Sequence, residues 1–170
     1  SSGNSYTGGF FSGTADFGSG PFVAVGQADA YIVKRNSSGS CLWVRTFGGT
    51  QNEHIRGLAI ASDGCIYAAG WFRSSSLLVG NTIVLFNADT MTDNAFLVRL
   101  DQSGTVLWAK QSSGIGSEQA FAVSADAAGG AVIAGSYFDT ARFDTVVLPS
   151  YGSSDLFVAH YDALCTITFA

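Results

Sequence analysis

Asp29-Ala30-Tyr31-Ile32-Val33-Lys34 and Asn94-Ala95-Phe96-Leu97-Val98-Arg99 are two versions of one phrase. The register joining them, residue i against i+65, runs without a gap from Asp29–Gly70 to Asn94–Gly135. Within it Ser38-Gly39-Ser40-Cys41-Leu42-Trp43 meets Ser103-Gly104-Thr105-Val106-Leu107-Trp108, Glu53 meets Glu118, and Gly64 meets Gly129. A third copy stands at an offset of 61, with Asp155-Leu156-Phe157-Val158-Ala159-His160 as the phrase and Phe169 in the tryptophan position. The spacing from phrase to aromatic is 14 in every copy (29 to 43, 94 to 108, 155 to 169). Upstream, Tyr6-Thr7-Gly8-Gly9-Phe10-Phe11 matches Tyr67-Ala68-Ala69-Gly70-Trp71-Phe72 and the segment from Val132 to Phe138. A fixed period of this kind marks a repeat architecture.

Each repeat reads as four short strands. The first lies near Ile55 to Ala61, and near Ala120 to Ala125 in its copy. The second is Cys65 to Phe72 or Ala131 to Phe138, reached through Asp63-Gly64 or Gly129-Gly130, pairs suited to tight hairpins. After a longer excursion (Ser12 to Ala28 in the first copy) come the third strand, Ala30 to Arg35, Ala95 to Leu100 or Leu156 to Tyr161, and the fourth, Cys41 to Phe47 or Thr105 to Gln111. The near-continuous apolar run Phe96-Leu97-Val98-Arg99-Leu100 suits a strand covered on both faces. Four antiparallel strands per long period predict an all-β, β-propeller-like repeat of about three blades: 1–52 without its first strand, 53–116 and 117–170. A β-solenoid needs a much shorter coil.

Composition agrees. With 12% charged residues, 21 glycines, two lysines (Lys34, Lys110) and two glutamates (Glu53, Glu118), the chain lacks the residues that cover a helical bundle. A net charge of −5 with eight basic residues argues against nucleic-acid binding. No apolar run is long enough for a membrane span, and Ser1-Ser2-Gly3-Asn4 does not read as a signal peptide.

The segment Gly57-Leu58-Ala59-Ile60-Ala61-Ser62-Asp63-Gly64-Cys65-Ile66-Tyr67-Ala68-Ala69-Gly70, with the Asp-x-Phe-Val and Trp-Ala-Lys strands, resembles the bacterial SBBP-type β-propeller repeats. Cys65 and Gly130 depart from the asparagine usual there, and Phe169 from the tryptophan. The resemblance implies an extracellular or cell-surface protein with a binding or scaffolding role, and it carries over no active site.

A period of 61 to 65 divides 170 residues into about 2.7 units, whereas propellers close with about four to eight. Two explanations stay open, a segment of a longer chain or several copies completing the structure. The second predicts homo-association into a ring or filament through blade faces or strand addition, with Tyr6, Phe10, Phe11, Phe157 and Phe169 at the interfaces.

Candidate sites are few. No catalytic residue, metal cluster or cofactor is expected. His54 and His160 occupy different repeat positions and read as surface or edge histidines. Glu53 and Glu118 share one position, which suits a structural hydrogen bond; ring-lining carboxylates are the functional alternative. Asn36-Ser37-Ser38-Gly39 and Asp101-Gln102-Ser103-Gly104 read as Asx turns rather than calcium loops, and Asn36 opens a formal glycosylation sequon. Cys41, Cys65 and Cys165 are either free thiols or one disulfide plus a spare thiol. Gly8-Gly9 reads as a strand-end turn. Trp43 and Trp108 are expected to fill blade cores. Trp71, set against Gly9 and Ser136 in the copies, reads as a departure from the repeat and is expected to be exposed and to contact a glycan or partner.

Overall fold

A computed structural model describes residues 3–80 and 82–170. Among them there is no helix, and the strands are β1 (Ser5–Phe11), β2 (Thr14–Asp16), β3 (Pro21–Val23), β4 (Asp29–Arg35), β5 (Cys41–Phe47), β6 (Glu53–Ile60), β7 (Ile66–Phe72), β8 (Ser76–Val79), β9 (Ile83–Phe86), β10 (Asn94–Leu100), β11 (Val106–Gly114), β12 (Glu118–Ala125), β13 (Ala131–Tyr137), β14 (Ala141–Phe143), β15 (Val146–Leu148), β16 (Asp155–Tyr161) and β17 (Ile167–Phe169).

Three antiparallel sheets follow the repeat. The first is β1-β4-β5 and the third β12-β13-β16-β17. The second, β6-β7-β10-β11, is widened to six strands because β14 of the next repeat pairs with β11 and brings β15 with it. The excursions are therefore not plain loops: β2–β3, β8–β9 and β14–β15 are hairpins. Among the described residues none of the sheets closes on itself.

The sheets stack face to face. Ala30, Ile32 and Phe47 of the first meet Ile55, Ala68, Phe72, Phe96 and Val98 of the second, and Leu77, Val79 and Leu85 of the β8–β9 hairpin seal that seam. Tyr67, Ala69, Ala95 and Leu97 of the second meet Ile133, Tyr137, Phe157, Ala159 and Tyr161 of the third, with Phe143 of β14 in the hairpin position. Every side chain of β10 is buried, because it alone of the third strands has a sheet packed on each face. Each fully buried Phe, Leu or Ile contributes roughly 1.5–3 kcal/mol, so the two seams hold the stack together.

A polar clamp recurs at each seam. Lys34 Nζ and Trp43 Nε1 both donate to the Gln102 carbonyl, at 2.7 and 3.1 Å. One repeat on, Arg99 and Trp108 Nε1 donate to the Ala163 carbonyl, at 2.5 and 3.2 Å. Trp43 and Trp108 are thus half-buried: each ring packs against a core, as expected from the sequence, while its Nε1 holds the next sheet's turn.

The turns receiving these clamps are Asx turns. Asp101 Oδ1 accepts the Ser103 and Thr105 amides, Asp162 Oδ1 those of Leu164 and Thr166, and Asn36 Oδ1 those of Ser38 and Ser40. All three need a left-handed residue before the fourth strand. Gly39 and Gly104 supply it at φ +83° and +81°, but in the third turn Cys165 holds φ +75°. Cys165→Gly is therefore expected to raise the unfolding free energy by about 0.5–1 kcal/mol, read as a higher urea midpoint at unchanged slope.

Candidate functional site

Glu53 and Glu118 open β6 and β12, where the chain passes from one sheet to the next, and both are fully buried. Their amides donate to the Ala28 and Asp93 carbonyls, which are equivalent positions. The Glu53 carboxylate accepts the Gly49 amide at 2.7 Å and the Ser74 hydroxyl at 2.5 Å, and burial raises its pKa. Glu118 is less well served. Ser112 donates to Oε2 at 3.1 Å, Oε1 has no partner, and burial pushes the carboxyl up to about 7, with the Asp93 charge adding to the rise. Neither carboxylate reaches solvent, so they lie in the sheet-to-sheet joints and do not line an open ring.

The two histidines are tied down as well. The His54 ring stacks between Phe10 (centroids 3.8 Å apart) and Trp71 (4.2 Å), and burial depresses its pKa, with Arg56 as the second cause. His160 Nε2 pairs with Asp126 Oδ2 at 2.6 Å, and its ring stacks on Phe169. Trp71 is consequently half-buried against His54, and the most exposed ring of this trio is Phe10, with one face stacked on His54.

Phe10 borders a shallow depression of about 430 Å³ lined by Gly9, Tyr31, Ile55, Arg56 and Phe121. Arg56 and Phe121 hold the same repeat position, and each is the extra residue of a β-bulge (between Ile55 and Gly57, and between Ala120 and Ala122). The bulges turn both side chains out of the sheets into solvent. Neither residue stands out in the sequence, because a bulge shared by two copies leaves their alignment ungapped.

The expected interface residues divide. Phe10 and Phe169 are half exposed and Tyr6 partly so, but Phe11 and Phe157 are core residues, the latter packed at a tilt against Phe143 with ring centroids 4.6 Å apart. In the run Leu156-Phe157-Val158-Ala159 the alternate residues do the exposing: Leu156 is 84% and Val158 49% accessible. Their equivalents, Ala95 and Leu97 in the second sheet and Ala30 and Ile32 in the first, are at most 1% accessible because the next sheet covers them. The third sheet thus presents an open apolar face of Leu156, Val158 and Phe169. Gly8 and Gly9, expected in a turn, lie inside β1.

The cysteines are three free thiols, partly buried and in separate elements, with the pKa of Cys65 and Cys165 raised by burial. Asn36 lies on the turn between β4 and β5, its Oδ1 used in the Asx turn. No helix of the described residues is long and apolar enough to cross a membrane.

No family model matches the chain. It is similar to the regulatory protein FlaEY of Caulobacter vibrioides, 28% identical over 98 residues, which cover 58% of this chain and 10% of that protein. It is also similar to a WD repeat-containing protein of Acanthamoeba polyphaga mimivirus, 26% identical over 118 residues, 68% of this chain and 8% of that one. The chain spans about a tenth of the length of these curated relatives.

Proposed function

We propose that this chain is a non-enzymatic β-propeller-type repeat segment, of the SBBP kind, that acts outside the cell as a structural or adhesive element and associates with copies of itself. The observation that carries this reading is the open face of the third sheet, where Leu156 and Val158 stand exposed at positions the other repeats bury. Large exposed apolar patches mark interfaces. At the clamp positions this sheet carries His160 and Phe169 in place of a lysine or arginine and a tryptophan, so its outer face differs from an internal seam and suits a contact between copies. Similarity to a WD repeat-containing protein supports the propeller reading, since WD repeats form four-stranded blades. The non-catalytic reading draws on Glu53, Glu118, His54 and His160 all being engaged in joints, stacks or pairs. Export draws on the SBBP resemblance.

Light scattering at increasing concentration tests it. The wild-type chain is expected to associate in the micromolar range, and Leu156→Asp with Val158→Lys to remain monomeric with unchanged far-UV circular dichroism. A wild-type chain that stays monomeric to about 100 μM sinks the self-association. A second reading, a ligand- or glycan-binding module, is favoured by the depression between Phe10, Arg56 and Phe121. Quenching of tryptophan fluorescence by added sugar, lost on Trp71→Ala, separates the two.

A further inference from the structure

We propose that the β14–β15 hairpin is a proton-controlled strap. It is held on β11 while Glu118 is protonated, and ionisation of Glu118 shifts it towards a released state in which the joint takes the form of the joint before it. The proposal does not depend on self-association through the third sheet.

The two joints show one device in two arrangements. At each, a buried glutamate opens the first strand of the next sheet four residues after a glycine, Gly49 before Glu53 and Gly114 before Glu118. At the first joint the carboxylate is served on both oxygens, Oε2 by the Gly49 amide and Oε1 by the Ser74 hydroxyl. There β5 ends at Phe47, and the β8–β9 hairpin forms a sheet of its own. At the second joint β11 runs on to Gly114 and takes β14 into its sheet through Ser112–Phe143, Ser113–Arg142 and Gly114–Ala141. The position of Ser74 is taken by Asp139, which is exposed and left-handed at φ +58°. Among the described residues Ser112 alone donates to the Glu118 carboxyl, at Oε2, and Oε1 has no donor. A hairpin off the sheet thus goes with a carboxylate held as an ion, and a hairpin on the sheet with one that is not.

What faces Oε1 is another acceptor. A Cβ on Gly114 would stand 2.2 Å from Glu118 Oε1 and 2.2 Å from the Thr140 carbonyl oxygen, so the two oxygens are at most twice that distance apart. Around Gly49 the same space holds the Ser74 hydroxyl, with the Ser76 carbonyl farther off at 2.8 Å. Thr140 immediately precedes β14. A proton on Oε1 makes the contact a donor–acceptor pair that seats the hairpin; an ionised Oε1 leaves two acceptors opposed in a dry site. Water reaches that site where β14 lies. The strap is short enough to leave, with three pairs to β11 and two buried side chains, Ala141 and Phe143. Its release uncovers Phe157, on which Phe143 packs, and so opens an apolar surface at the seam.

The other charges around the joint are fixed. Asp93, whose charge reinforces the rise at Glu118, is bound by Arg73 and Gln119. Lys110 of β11 is paired with Asp144, and Arg142 of β14 and Asp139 are exposed. Tyr137, opposite Glu118 on β13, donates to the Pro149 carbonyl and titrates above its ordinary 10.

Native-state hydrogen exchange, corrected for intrinsic rates, tests the strap between pH 5 and 8 at a series of low urea concentrations. The amides of Ser112–Ile115 and Ala141–Phe143 are expected to open with little dependence on urea, because a local release exposes little surface, while those of β10 follow the full urea slope of global unfolding. With Glu118 titrating at about 7 in the closed joint and at an ordinary 4.5 when hydrated, the opening constant of the strap is expected to rise roughly 70-fold from pH 5 to pH 8. Glu118→Gln is expected to abolish that rise. The proposal is overturned if the strap amides open only with the urea slope of β10, if their opening does not increase with pH, or if a folded Glu118→Gln chain keeps the increase. Should that variant fail to fold, the pH and urea dependence of the wild-type chain decide.

Discussion

Gly70→Ala and Gly135→Ala are each expected to destabilise the chain by about 3 kcal/mol or more, whereas Gly9→Ala, at the same repeat position, costs under about 1 kcal/mol. The difference lies mainly in the neighbouring first strand. At Gly70 the new methyl overlaps the His54 carbonyl and crowds the Ile55 backbone; at Gly135 it overlaps the Gln119 carbonyl and comes within 2.8 Å of the Phe157 ring. Backbone atoms cannot swing aside as a side-chain tip does. Relief requires β6 or β12 to move off its partner, which breaks ladder bonds beside the bulge and loosens the joint at Glu53 or Glu118. At Gly9 the nearest atoms all belong to the Tyr31 ring, which yields by a few tenths of an ångström. Thermal unfolding of the three variants measures the contrast, with the first two expected near 10 °C below wild type. Equal losses at all three positions would show that the glycine serves β1 itself and not a neighbouring strand.

The repeat made the four blade strands legible, because identical spacing recurs wherever the same four strands recur; the hairpins β2–β3, β8–β9 and β14–β15 lie in the excursions, where the copies do not resemble one another. The turns at Asn36 and Asp101 were legible from chemistry, since an Asp or Asn three residues before a Gly is enough to write an Asx turn with a left-handed residue; the Asp162 turn, with Cys165 in the glycine's place, was not. Which side chains face outward was not legible. In Leu156-Phe157-Val158-Ala159 both parities are apolar, so the pattern does not tell the inner face from the outer, and Phe157 reads as readily exposed as Leu156. The same ambiguity hides Phe11 beside Phe10. Trp71 reads as exposed when set against Gly9 and Ser136, yet the strand register makes Phe10 its counterpart in the first copy, and its partner His54, which departs from Gln119, stacks on it. The clamps were half visible, since the basic residue and the tryptophan recur at Lys34 and Trp43 and at Arg99 and Trp108. Their acceptors are main-chain carbonyls of a different repeat, and a carbonyl has no signature in a sequence.

Stability is expected to fall as pH rises from about 5 to about 8, and Glu118→Gln to remove most of that fall. In the folded chain the Glu118 carboxyl titrates at about 7, against an ordinary 4.5, because burial disfavours its charged form and Asp93 adds a like charge. The folded state therefore holds a proton that the unfolded state has released between these two values, and unfolding free energy decreases with pH across that window. Below 4.5 both states are protonated and Glu118 imposes no penalty. Above 7 the full penalty is present, roughly 3 kcal/mol, since each tenfold change in proton affinity is worth about 1.4 kcal/mol. Glu53 is shifted the same way, eased by the Gly49 and Ser74 hydrogen bonds that Glu118 has only in part. His54 acts in the opposite sense: its pKa is depressed, so the unfolded state binds more protons below 6.5 and stability gains as pH rises to that value. Asp63, Asp101 and Asp126 are depressed by hydrogen bonds and contribute only to the acid limb, below about 4. The difference between wild type and Glu118→Gln isolates the one group. The amide that replaces the carboxylate would still accept the Ser112 hydroxyl and would carry no charge. Urea midpoints of the two proteins should therefore converge near pH 4.5 and separate steadily to pH 8, with the variant the more stable. A gap that stays constant with pH would mean that Glu118 ionises normally in the folded chain, and that the joint between the second and third sheets is open to water.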